Sequence, residues 1–473
     1  MPDYDLVVVG SGFAGSAAAL SFLETAEKAG RSGRVALIES GKNGTWPGAS
    51  RWAKPFLALD RDNKLLRDRA GGVEWSLSSL VEYWRRFEDE TPNTVKFMED
   101  HGVKLIHHDE EDAALDFEEQ HFAYTVGGGK EIVDFFLSHV ANHENADVLW
   151  DHEAVNLTLD KNGERVNGIV ACKPDGALRS ITADTVALAC GGFEGNPEML
   201  TQYLGEDAAD LPVIARGLRY NRGAGIRMAM EVGAGTTGQL GMVHAELVDT
   251  RAERYHSAIW GQNYGIVVNE DSERFRDEGE DYIFGASESL AYETWRRQNQ
   301  KSYFITDKTV MDRFEGSWVY ETVNQPPEQS DTIGGLAGKL GLDPARLEAT
   351  VGEFNAACGP GGWDPVKMDG KKTSGITPPK SNWANPIAEA PFSGFPMTAH
   401  VSFTFGGLKV DADGRVLSAN EAPIPGLFAA GEITGHFHHK HPPATSVLRA
   451  STFGRIIGAN AAKRLPEKAE STV

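Results

Sequence analysis

Three glycines near the start of the chain, Gly10, Gly12 and Gly15, constrain it more than any other feature. They follow an apolar, valine-rich run, Tyr4 to Val9, and open an alanine-rich segment, Ala14 to Leu23; a second apolar run, Val35 to Ile38, ends in Glu39. Strand, glycine turn, helix, strand, acid is the order of the dinucleotide fingerprint. Glycines there let the backbone turn sharply and bring a helix N-terminus, with its free N–H groups, against a pyrophosphate. Gly10, Gly12 and Gly15, with Phe13 and Ala14 between them, are therefore expected at the phosphates, and Glu39, followed by Ser40, at the ribose hydroxyls. Arg31-Ser32-Gly33-Arg34 is expected to loop out before the second strand. The N-terminal position, with hundreds of residues following, favours FAD over NAD.

The rest of the composition excludes more than it assigns. A chain of 473 residues is long enough for a large core and two domains. A net charge of −22 argues against nucleic acid or an anionic membrane as partner. No run of about 18 apolar residues occurs, so no membrane span is expected. Met-Pro-Asp-Tyr-Asp leads straight into a strand, which leaves no room for a signal peptide. Cys172, Cys190 and Cys358 lie far apart, which rules out a CxxC redox pair and fits a reducing compartment. The expected location is cytoplasmic.

Along the chain, Leu80 to Glu99 reads as a solvated surface helix. Asn156 to Leu159 and Val166 to Ala171 read as a hairpin turning at Asn162-Gly163, and Ile181 to Ala189 as a buried strand. Asp343 caps a helix that begins at Pro344 and carries Leu347, Val351 and Phe354 as its apolar stripe. Gly359 to Pro396, rich in Gly, Pro, Ser and Lys, reads as a linker. Gly407 to Val410 and Arg415 to Leu417 should pair through Asp413-Gly414. In the last helix, Ser446 to Leu465, Ala450, Gly454, Gly458 and Ala462 share one face that can lie close to a sheet or cofactor. The expected fold is α/β: a discontinuous Rossmann-like FAD-binding domain, 1–237 and 389–473, with an inserted α+β capping domain, 238–388.

The end of the chain carries a family resemblance. Pro423-Ile-Pro-Gly-Leu-Phe-Ala-Ala-Gly-Glu-Ile-Thr434, Thr452-Phe-Gly-Arg455, Ala189-Cys-Gly-Gly-Phe193 with Asn196, the stretch Asn263 to Glu278, and Phe405-Gly-Gly407 resemble the fumarate reductase and succinate dehydrogenase flavoprotein superfamily. The motifs span essentially the whole chain in family order. Gly48-Ala-Ser-Arg-Trp52 and the loop Gly435-His-Phe-His-His-Lys-His-Pro-Pro443 resemble the branch of FAD-dependent tricarballylate dehydrogenases.

The resemblance implies flavin contacts residue by residue. Gly10, Gly12 and Gly15 hold the pyrophosphate, Glu39 the ribose, and Ser50, beside Arg51, stands near flavin N5. Ala154 or Val155 meets the adenine, Glu432 approaches the ribityl chain, Gly191 and Gly192 belong to the Cys-Gly-Gly motif, and the amides of Ser446 and Val447 face flavin O2. No histidine lies between Pro47 and Phe56, where relatives make a covalent link, so FAD is expected to be non-covalent. For catalysis, Arg274 aligns with a proton-donating arginine, His244 with a carboxylate-binding histidine, and His441, beside Lys440, with a carboxylate-clamping arginine. Ser402 replaces a second histidine, with His400 on the same strand face. The family's Glu and Arg proton relay falls on Ala258 and Gly261 and is missing.

The implied activity is hydride transfer to or from flavin N5, interconverting saturated and α,β-unsaturated polycarboxylates. Substrate is expected to be small and anionic, held by the His436, His438, His439, Lys440 and His441 cluster; the electron donor or acceptor is unidentified. No metal site is expected, because no carboxylate or cysteine accompanies those histidines. Alternatives are an apolar ketone, as in the related ketosteroid dehydrogenases, or a non-catalytic flavin-binding protein. Arg274 has a structural alternative too, as ion-pair partner of Asp277 or Glu278.

Overall fold

The computed structural model describes residues 2–66, 81–107, 123–253, 258–315, 325–365 and 367–466. It divides into two compact units, one formed by Met1–His107, His121–His244 and Ser402–Val473, the other by Ala245–Val401.

The first unit is organised by an eight-stranded sheet. Strand β1 (Tyr4–Val9) lies between β2 (Val35–Glu39) and the strand Leu178–Leu188, parallel to both. Its valines are almost fully buried on both faces, the pattern of a central parallel strand covered on each side. Ala146–Trp150 extends the sheet beyond β2, and Pro423–Ala429 beyond Leu178–Leu188. Glu153–Leu159 and Val166–Cys172 form the expected hairpin. Helix α1 (Phe13–Lys28) connects β1 to β2. The last helix, Ser446–Lys463, packs its small face on α1 rather than on a sheet: a Cβ at Gly454 or Gly458 would run into the carbonyl oxygens of Ala14 and Ala18.

The helix expected to be solvated, described from Val81 to Asp100, buries Tyr83, Trp84, Phe87, Val95 and Met98; Leu80 itself lies outside the described residues. Its Thr94 shares a hydroxyl hydrogen bond with Thr452 of the last helix. The charged positions are one face of an amphipathic helix, and the other face is core.

Just beyond that helix, His101 is clamped at both ring nitrogens by acceptors: the Phe97 carbonyl at 2.6 Å and the Glu24 carboxylate of α1 at 2.8 Å. Two acceptors require two N–H donors, so the ring is an imidazolium. Burial opposes that charge, but the bonds to Glu24 and Phe97 outweigh it and raise the His101 pKa; the His101 bond in turn lowers that of Glu24. A raised histidine stabilises the fold fully below its unfolded value of 6.5 and loses that contribution as pH rises through the folded value. A lowered glutamate stabilises above 4.5 and loses its contribution as pH falls. His101→Gln should therefore cost about 1 kcal/mol near pH 6, after discounting for solvent screening, and less near pH 9. Chemical unfolding at the two pH values checks this; an equal cost at both removes the imidazolium.

The second unit is built on a five-stranded sheet with Val243–Asp249, Phe392–Thr404, Ser302–Thr306 and Ile266–Val268 in that order, and Glu328–Ser330 also paired to Phe392–Thr404. Leu347, Val351 and Phe354 of the Asp343-capped helix, Pro344–Ala357, pack there with Leu336 and Ile305. The chain passes between the two units within strands, at Ala245 in Val243–Asp249 and at Val401 in Phe392–Thr404. Gln239 already bonds to the Phe437 carbonyl at 3.0 Å, while Ser393 to Met397 still pair with Ser302–Thr306. The expected linker is part of this unit. Asn355 is bonded to Ile387 both ways, the buried Trp383 indole donates to the Asp364 and Lys367 carbonyls, and Lys380 is fully buried. Its polar composition satisfies buried hydrogen bonds instead of meeting water.

Candidate functional site

The chain leaves β1 at Gly10 with φ +104°, a conformation free only to glycine. A Cβ on Gly15 would collide with the Gly10 carbonyl oxygen, so α1 can begin this close to the strand only because Gly15 has none. The N-cap Gly12 supplies no side-chain cap; the Phe13 N–H donates to the Ser50 hydroxyl at 3.1 Å. Beside this turn is a cleft that opens to solvent. Gly10, Gly12, Phe13, Ala14, Glu39, Ser40, Ser50, Ala154, Gly191 and Glu432 line it; Gly15, Arg51, Val155, Gly192, Ser446 and Val447 do not.

At one end the Glu39 carboxylate accepts from the N–H groups of Ser11 at 3.0 Å and Gly41 at 2.9 Å, which fix it at the tip of β2 with further acceptor capacity. Ser40 spends its hydroxyl on the same carboxylate. Arg51 is buried behind the glycine turn, Nη1 3.3 Å from Ser11 Oγ and Nε 3.4 Å from Asp134. Burial lowers its pKa while Asp134 and Glu39 counter that effect, so a cation backs the turn. Glu432, at the other end, accepts from the Thr404 N–H at 3.0 Å.

The loop before the last helix folds in an unexpected way. His436 is completely buried and lies 4.1 Å from the Tyr83 ring, and its pKa is held well below the ordinary value by burial and by Arg449. His441 sits among Phe403, Phe437 and His244, with ring centres 4.9, 5.1 and 5.3 Å away, and its Nε2 is 2.7 Å from the Ser446 hydroxyl. Burial and the neighbouring His244 hold its pKa well below the usual range as well. His438 is lowered by burial, and His439 and Lys440 are exposed. The expected basic cluster is therefore split: His436 and His441 are neutral imidazoles, and Lys440 lies toward solvent. Enclosing an imidazole among rings removes the water that stabilises its charged form.

Thr445, at the N-cap of the last helix, makes no side-chain cap bond, so the first-turn amides of Ser446 and Val447 lack intrahelical partners. A turn of N–H groups with a fixed acid at the next strand tip, and a second helix start on the same unit, is a dinucleotide cradle. The family model described as "FAD binding domain" matches residues 5–446. The chain belongs to this FAD-binding family.

Its relatives place it in the fumarate reductase and succinate dehydrogenase flavoprotein superfamily. It is 27% identical to a vinyl phenol reductase of Lactiplantibacillus plantarum, covering 97% of this chain and 96% of that one. It is 26% identical to a urocanate reductase of Eggerthella lenta, covering 97% and 75%. The fold matches that of a flavocytochrome c3 fumarate reductase in its open conformation, with TM-score 0.72 at 22% identity over 97% of this chain and 78% of that one. A 3-ketosteroid Δ4-(5α)-dehydrogenase from Rhodococcus jostii shares the fold with TM-score 0.68 at 23% identity, covering 98% and 97%. This FAD-binding chain is thus an oxidoreductase of CH–CH bonds. No helix among the described residues is long and apolar enough to cross a membrane.

In the unit Ala245–Val401 of the flavoprotein, Arg274 is committed to its own unit. Its Nε and Nη2 bond to the two oxygens of Glu278 at 3.0 and 2.6 Å. Nη1 donates to the Pro378 carbonyl at 2.8 Å, and Nη2 also reaches the carbonyls of Pro379 and Arg276. Both partners of this ion pair are buried, and Lys380 Nζ is 3.9 Å from the same carboxylate. Burial draws the Lys380 pKa down to about 8, against the pull of Glu278. A guanidinium spread over one carboxylate and three carbonyls has the contacts of a structural clamp, the alternative that the sequence left open for Arg274. His400 lies on the strand Phe392–Thr404 within this unit, while Ser402 opens the last segment of the FAD unit.

Asn221, Glu194, Phe403 and Phe437 were not picked out from the sequence. Glu194 directly follows the quoted Cys-Gly-Gly-Phe motif, which was a usable signal. Asn221 sits in an irregular segment with no local pattern to mark it.

Proposed function

We propose that this flavoprotein reduces, or forms, a carbon–carbon double bond conjugated to an aromatic ring or to a single carboxylate. The observation that carries the reading is His441, neutral and enclosed by Phe403, Phe437 and His244 beside the start of the last helix. Such a nest offers ring stacking and neutral hydrogen bonds, not several convergent charges. The first relatives are named for vinyl phenol and urocanate, both of which carry an alkene on a ring, and that supports the same reading.

FAD, when bound, accepts or delivers the hydride at the substrate carbon. The chain's residues have the other tasks. The glycine turn, backed by Arg51, would hold the phosphates, Glu39 the ribose and Glu432 the hydroxyl chain. The first-turn amides of the last helix favour negative charge that develops opposite them. His441, bonded to Ser446, orders the aromatic wall at that helix start. No covalent anchor is offered between Pro47 and Phe56, so acid precipitation should release FAD into the supernatant.

The polycarboxylate reading, with tricarballylate or fumarate as examples, rests on the resemblance of the His/Lys loop, and a direct comparison separates the two. Anaerobically reduced protein is mixed with 4-vinylphenol, urocanate, fumarate and cis-aconitate while flavin absorbance is followed. Reoxidation by a ring-bearing alkene at least about tenfold faster than by fumarate or cis-aconitate is expected, a difference of ~1.4 kcal/mol in barrier. Faster reoxidation by the polycarboxylates would overturn the reading, and reoxidation by none of them would favour a non-catalytic flavin-binding protein.

A further inference from the structure

A buried carboxyl group, Glu194, and a half-buried one, Glu432, meet at one end of the FAD cleft, with no cation between them among the described residues. Glu194 is 1% exposed, and one of its oxygens accepts from the Asn221 amide at 2.6 Å. The same amide nitrogen reaches Glu432 at 3.3 Å, and the Thr404 N–H holds the other Glu432 oxygen at 3.0 Å. The second Glu194 oxygen is sealed from solvent and receives no hydrogen from any described group. One amide nitrogen within hydrogen-bond reach of both groups sets the two carboxyls side by side. Two carboxyl groups held this close favour sharing one proton, and the orphaned oxygen of Glu194 is the place for it. Glu432 lines the cleft; Glu194 does not.

We infer that Glu194 is a positioning residue for FAD: as a neutral acid it donates to Glu432 and holds that carboxylate ready to accept from the cofactor's hydroxyl chain. With the proton on Glu194 the pair becomes a donor and an acceptor in fixed order, and the Asn221 amide bridges both. Burial first, and then the neighbouring Glu432, push the Glu194 pKa well above the usual carboxylate range. The other titratable groups around the pair do not supply a counter-charge. Cys190 is a half-buried thiol whose pKa is pushed up to about 12, Glu39 is a further carboxyl group on the cleft, and Arg219 and the cleft-lining Arg222 are exposed. With two full charges the pair would repel, and Glu432 would have to turn away from Glu194.

The test reads FAD binding. Apoprotein is prepared from the holoprotein, and FAD affinity is measured by flavin fluorescence from about pH 6 to about pH 10 for wild type, Glu194→Gln and Glu194→Ala. Glutamine keeps both a donor for Glu432 and an acceptor for Asn221, so Glu194→Gln should bind FAD within about threefold of wild type near pH 7. Wild-type affinity should fall by roughly tenfold toward alkaline pH as the shared proton is lost, and that fall should be absent in Glu194→Gln. Glu194→Ala should bind roughly tenfold more weakly near neutral pH. Matching pH profiles for wild type and Glu194→Gln would overturn the inference, as would a glutamine variant that loses as much affinity as the alanine variant.

Discussion

A Gly15→Ala variant is expected to purify without colour. The added Cβ would overlap the Gly10 carbonyl oxygen, which belongs to the backbone and has no rotamer by which to move aside. Relief would require α1 to retreat from β1, and the first-turn residues Gly12, Phe13 and Ala14 line the cofactor cleft. Overpacking of this kind costs about 1–3 kcal/mol, and the misplaced phosphate contacts add to it. Together these should weaken FAD binding by roughly a hundredfold or more. Titration of apoprotein with FAD checks this. A yellow variant with wild-type affinity would show that the turn is not where the phosphates bind.

The second large effect concerns Arg274. Arg274→Ala leaves the Glu278 carboxylate buried without its bidentate partner, with Lys380 at 3.9 Å as the remaining cation. The carbonyls of Pro378 and Pro379 lose their donor as well. Removing one partner of a buried pair costs about 3–5 kcal/mol. In the unit Ala245–Val401 that corresponds to a loss of roughly 10 °C in unfolding midpoint. Calorimetry of the holoprotein, with flavin release followed in parallel, would show the destabilisation. A variant that keeps its midpoint to within about 2 °C, well below the expected shift, yet loses turnover would restore Arg274 as a proton donor.

Electrostatics are where sequence and structure part most clearly. His436, His438, His439, Lys440 and His441 form a dense run of basic residue types, and as a string they imply positive charge. The structure buries His436 against Tyr83, packs the half-buried His441 among Phe403, Phe437 and His244, and leaves Lys440 exposed. Whether an imidazole is charged depends on which rings replace its water, and those rings come from distant segments. Glu194 and Glu432 follow the same logic: each is an ordinary carboxylate until Asn221 and Thr404 bring the two together.

The features legible from the sequence were those enforced by neighbours along the chain. The strand-turn-helix start, the acid at Glu39, the hairpin through Asn162-Gly163 and the Asp343 cap all depend on φ preferences, capping bonds and side-chain periods that act over a few residues. The small face of the last helix announced a close approach, and tertiary structure alone named α1 as its partner. The polar segment after Cys358 looked like a linker because composition does not reveal whether polar groups bond to water or to buried carbonyls. Arg274 and Glu278, four residues apart, were visible as a pair. The Pro378 and Pro379 carbonyls that fix the guanidinium come from far along the chain, and only folding could deliver them. The sequence by itself determined the cofactor cradle, because a fingerprint is local geometry. Tertiary structure decided the charge and partners of the remaining polar groups, because desolvation is set by what packs around a group rather than by what adjoins it in sequence.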